Sequence, residues 1–72
     1  MLCVIIDIPA SISLGCPLVE VGQLGDQNFS TDFEKALIIN LRNISSLEVV
    51  ERMKSYPKTC VLVNYDILKE VV

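Results

Sequence analysis

"ALIINLRNISSLEVVERM", residues 36–53, decides the fold of this chain. It reads either as a buried strand feeding a helix or as two successive helices. The back half is helical on both readings. Ser45 and Glu48 form an S-x-x-E capping box, and Ile44 and Val49 occupy the flanking staple positions. Leu47, Val50 and Met53 give an apolar stripe with Val49 beside it, while Glu48, Glu51, Arg52 and Lys54 face water. The pattern predicts a helix over 46–55, stopped by Pro57 in "SYPK".

The front half is decided by Ile39. As a strand, residues 36–41 place Leu37, Ile39 and Leu41 on one face and Ala36, Ile38 and Asn40 on the other. As a helix opened by Thr31 and Glu34, they line up Phe33, Leu37, Leu41 and Ile44. Ile39 then falls beside Lys35 and Arg42 on the wet side. That helix would also leave only "NIS" as a corner, with no glycine to turn it. The strand is therefore the expectation, with room for one helical turn at 31–35.

Outward from this stretch, "TCVLVN" (59–64) is a strand, so 36–41, 46–55 and 59–64 form a βαβ unit. Such a unit has parallel strands and a right-handed crossover. "LCVIIDI" (2–8) is a buried strand, with Cys3, Ile5 and Asp7 on one face and Leu2, Val4, Ile6 and Ile8 on the other. Apolar on both sides, it calls for cover on both. "PASISLGCP" (9–17) reads as a loop, "LVEVGQL" (18–24) as a short strand bent at Gly22, and "GDQNFSTD" (25–32) as a loop. "YDILKEVV" (65–72) is a short helix with Ile67, Leu68, Val71 and Val72 on one face. The expected fold is α/β: one domain over 1–72, with a three- to four-stranded sheet, one βαβ unit and a short C-terminal helix. In layout alone, "KALIINLRNIS" followed by a helix and "CVLVN" resembles the βαβ half of small STAS-type regulators, over about half of the chain.

Seventy-two residues, 51% hydrophobic and 21% charged, are too apolar for a disordered chain. They are also more apolar than so small an interior can absorb. The excess points to a partner or a second copy. Residues 1–34 carry Asp7, Glu20, Asp26, Asp32 and Glu34 and no Lys or Arg. Residues 35–72 carry six bases against four acids, so the halves stand at −5 and +2 within a net −3. An acidic half steers towards a basic partner and away from bare nucleic acid. The opening residues lack the basic start of a signal peptide, and Asp7 interrupts their apolar run. No stretch approaches the ~20 apolar residues needed to span a bilayer.

There is no histidine, which removes Ser–His and Cys–His nucleophile pairs and a pH switch near neutrality. Cys3, Cys16 and Cys60 form no closed disulfide set, have no CxxC spacing and lack a fourth zinc ligand. Reduced thiols suit a cytoplasmic setting. No glycine-rich phosphate loop follows any strand. A parallel sheet would gather Asp7, Asn40 and Asn64 at its strand ends, where open α/β sheets bind ligands. Polar residues also simply mark where buried strands stop.

No catalytic residue, cofactor or metal is expected. The first expectation is a non-enzymatic protein-binding module, self-associating through Ile67, Leu68, Val71 and Val72, with the acidic residues Glu20, Asp26, Asp32 and Glu34 as a second surface. The alternatives are a phage- or plasmid-type inhibitor that blocks a nucleic-acid-binding protein, and a regulatory domain with a ligand crevice at Asp7, Asn40 and Asn64.

Overall fold

The computed structural model describes residues 1–72. Strand β1, Leu2–Asp7, is the centre of a five-stranded sheet. Strand β5, Cys60–Asn64, runs antiparallel along one of its edges, from Cys3 opposite Asn64 to Asp7 opposite Cys60. The other edge is shared by two short strands. β2, Val19–Glu20, pairs Val19 with Ile6, and β4, Ile39–Asn40, pairs with Cys3 and Leu2. β3, Phe29–Ser30, lies outside β2. Cys3, Val4, Ile5 and Ile6 are all buried, so β1 is covered on both faces as its unbroken apolar run requires.

The strand–helix–strand order around the deciding stretch is present. The strand expected over 36–41 is confined to Ile39–Asn40. A 3-10 turn at Phe33–Lys35 precedes it, and the Leu37 amide donates to the Glu20 carbonyl at 2.8 Å instead of joining a longer ladder. Helix α2, Ser46–Arg52, follows and tightens into a 3-10 turn at Met53–Ser55. β4 and β5 point the same way, since both oppose β1. They are not neighbours, because β1 lies between them. The two strands of the unit are thus parallel to each other with β1 as their shared neighbour, as expected, but the all-parallel sheet is corrected: every paired neighbour is antiparallel. β1 is the longest and most apolar strand, and it takes the position with two hydrogen-bonded edges.

Helix α1, Ile8–Leu14, takes the last residue of the expected strand 2–8 and most of residues 9–17, expected as a loop. Asp7 Oδ1 accepts the Ala10 amide at 3.1 Å and caps the start. Pro9 sits in the first turn, where its missing N–H costs nothing. Gly15, at φ 75°, ends the helix in the left-handed conformation that receives a C-cap. Ser11 Oγ donates to the Asp7 carbonyl and accepts the Leu18 amide, which fixes α1 to the chain that enters β2.

Half of the expected α2 capping box forms: Ser45 Oγ accepts the Glu48 amide at 3.2 Å, while the Glu48 carboxylate faces Arg52 at 3.8 Å. The buried face differs from the expected stripe. Val49 is fully buried and Met53 packs beside it, whereas Leu47 is 82% exposed and Val50 is exposed. Ile44, the expected staple partner of Val49, packs against the same core cluster. Helix α3, Tyr65–Val71, begins directly after β5 and is capped by Asn64 Oδ1, which accepts the Ile67 amide at 2.9 Å.

The core lies between one face of the sheet and α2. It comprises Cys3, Ile5, Ile39, Val49, Tyr56 and Cys60, with Phe29, Leu41 and Ile44 packed on its rim. The opposite face carries Val4, Ile6 and Val19, and α1 and α3 lie against it.

Candidate functional site

Helix α3 only partly covers the sheet face on which it lies. An apolar groove of about 260 Å³ remains, lined by Ile6 and Ile8, by Val63 and Asn64, and by Ile67, Leu68 and Val71. Of the four residues expected to form an interaction surface, Leu68 is half-buried, and Ile67, Val71 and Val72 are exposed. Ile67 stands 66% and Val71 76% exposed, too far out to complete the core. The surface extends onto α1, which sequence reasoning missed. Ile8 lines the groove, and Ile12, one turn further along the same helix face, is exposed. Once residues 8–14 are read as a helix, Ile8 and Ile12 fall at i,i+4 spacing; Asp7 and Gly15 were the boundary signals.

Only 10 of the 72 residues are buried, and the exposed large hydrophobics include Ile12, Leu14, Leu47, Val50, Ile67, Val71 and Val72. A second hollow of about 400 Å³ lies on the core side of β5, lined by Val50, Met53, Tyr56, Pro57, Cys60 and Leu62, with Lys54 and Lys58 at its rim. Lys54 pairs with Glu51 at 2.9 Å.

The expected acidic surface does not form as drawn, and Glu20 is the correction. Its side chain is completely buried. Oε1 accepts the Gln27 amide at 2.7 Å and the Tyr56 hydroxyl; Oε2 accepts the Asn28 amide at 2.7 Å and the Gly22 amide at 3.1 Å. Tyr56 Oη accepts the Gly25 amide at 2.9 Å. One carboxylate thus satisfies the loop between β2 and β3 and ties it to the chain after α2. A buried charge with four donors is a structural anchor. Gln27 supports the same loop from a left-handed φ of 57°, its side chain donating to the Ser55 carbonyl at 3.0 Å. Burial, and then the hydrogen bond to Glu20, push the Tyr56 hydroxyl up from 10.0 to about 12. Asp26 is spent on the turn, accepting the Gln23 amide at 2.9 Å, and Asp32 faces Lys35 at 3.8 Å. Glu34 is exposed.

The strand-end crevice is also corrected. With β1 antiparallel to β4 and β5, Asn40 lies opposite Leu2 and Asn64 opposite Cys3, at the start of β1. Asp7 lies at its far end, about 13 Å away at a strand rise of ~3.3 Å per residue. Each side chain is bound locally: Asp7 caps α1, Asn64 caps α3, and Asn40 Oδ1 accepts the Arg42 amide at 3.0 Å.

Cys3 and Cys60 are buried, and desolvation raises both thiols above their ordinary value. Cys16 is exposed. No group of three His, Cys, Asp or Glu side chains is placed to hold a metal ion, and no helix is long and apolar enough to cross a membrane. Comparison with protein-family models, curated proteins and solved structures finds no match to this chain.

Proposed function

We propose that this chain is a small non-enzymatic protein-binding module that self-associates through the apolar face shared by α1, β5 and α3. The observation that carries this reading is the exposure of Ile67 and Val71 beside an apolar groove that the chain does not fill. A contiguous exposed apolar patch on a small domain marks a contact surface. The location of the polar groups supports a binding role. Glu20, Asp7 and Asn64 are each bound within the fold. With these groups engaged within the fold, what this face offers a partner is shape and apolar area.

The test is sedimentation over a concentration series, with Ile67→Asp and Val71→Asp in one chain. These positions are exposed, so the variant should keep the native far-UV spectrum. It should shift the monomer–dimer equilibrium towards monomer by roughly tenfold or more, the scale of losing two apolar contacts. Unchanged association in the variant overturns the reading.

A further inference from the structure

The hydrogen-bonding pattern along β5 identifies how a second copy would seat. The Ile8 amide donates to the Thr59 carbonyl at 3.1 Å, in the same register as the β1–β5 pairs. Antiparallel ladders alternate bonded and non-bonded pairs. Val61 and Val63 therefore turn their backbone groups inwards to Ile6 and Val4, and Cys60, Leu62 and Asn64 turn theirs outwards. β5 pairs with β1 alone, so this edge is open. Two of the outward groups are already used: the Cys60 amide donates to the Pro57 carbonyl at 3.0 Å, and the Asn64 carbonyl accepts the first bond of α3. Four remain: the Cys60 carbonyl, both groups of Leu62, and the Asn64 amide.

We propose that β5 pairs antiparallel with β5 of a second copy, with Leu62 on the two-fold axis, joining two five-stranded sheets into one. This register sets Leu62 against Leu62 and Cys60 against Asn64. All four open groups on each chain then find partners. The two groups already used, the Cys60 amide and the Asn64 carbonyl, face each other. A shift of two residues either way would leave open groups unpaired, so the edge is complementary to itself in this register. A two-fold contact requires such self-complementarity.

The edge also lacks the usual protection. "CVLVN" carries no charge, proline or bulge. Val61 is exposed on one side of it, and a hollow flanks it on each face, the one beside α3 apolar. The inference rests on the module reading above and specifies its partner and register.

The decisive experiment combines sedimentation with amide exchange on the intact chain. In the single chain, the Leu62 and Asn64 amides have no acceptor and exchange fast, while Val61 and Val63 are protected. At concentrations where the dimer forms, Leu62 and Asn64 should slow by about tenfold or more. A synthetic chain with a methyl group on the Leu62 amide nitrogen removes a donor the fold does not use. It should retain protection at Val61 and Val63 and raise the dimer Kd roughly tenfold to a hundredfold, since the two-fold doubles the loss. A dimer with freely exchanging Leu62 and Asn64, or one indifferent to the methyl group, overturns the edge pairing. If that dimer still dissociates with Ile67→Asp and Val71→Asp, the apolar-face reading stands without it. A strict monomer up to about 1 mM overturns both.

Discussion

Glu20 shows how one residue sets a loop. Four donors converge on its carboxylate, and Tyr56 reaches it from 36 positions along the chain. Replacing it by Gln turns an amide N–H2 towards donors and should cost about 3 kcal/mol of stability. Tyr56→Phe leaves the carboxylate with its backbone donors but orphans the Gly25 amide, at about 1–2 kcal/mol. Denaturant unfolding of the two variants checks the order. The Tyr56 hydroxyl is raised in the folded state to about 12 from 10.0. Its contribution is therefore fully present below pH 10.0 and is lost as pH rises through about 12. Stability measured across that window should fall less steeply in Tyr56→Phe, which has no such hydroxyl to ionise. The burial of Glu20 was not legible from its neighbours. Its partners are scattered over residues 22–56, and only the folded loop collects them.

At the scale of elements, caps were the most readable signals. Ser45 announced α2, and its bond to the Glu48 amide is present. Asp7 and Gly15 bracket α1 by the same chemistry, but two prolines and a glycine in nine residues favoured a loop reading. Pro9 is compatible with a first turn, and that position decides its meaning. Asp7→Ala removes the α1 cap and should cost about 1 kcal/mol, with faster amide exchange across residues 10–14 than in the parent chain. The α2 stripe shows the limit of periodicity. Leu47–Val50–Met53 and Val49–Met53 are both acceptable helical faces, and packing against the sheet buries the second. The exposed Leu47 and Val50 follow from that selection.

At the scale of the molecule, apolar residues make up 51% of the chain but only ten residues are buried. A domain of this size has a thin stability margin, and association adds to it. If the native state is the dimer, its melting temperature should rise with protein concentration. The Ile67→Asp, Val71→Asp chain should melt at a lower temperature than the parent at each concentration where the parent is dimeric, and the two should converge on dilution. Calorimetry over a hundredfold range decides this, and a concentration-independent parent would count against a stabilising dimer.

The sequence by itself determined the local units: β1 as a strand covered on both faces, the start of α2 at Ser45, β5, and α3 with its apolar stripe. These are set by periodicity and capping, which act within a few residues. The direction and order of the strands were decided by the tertiary structure alone. Two-residue strands such as β2 and β4 carry too little pattern to announce their partners. Competition for the two edges of β1 placed β5 on one side and the short strands on the other. That placement separated Asp7 from Asn40 and Asn64, buried Glu20, and left four outward groups of "CVLVN" open.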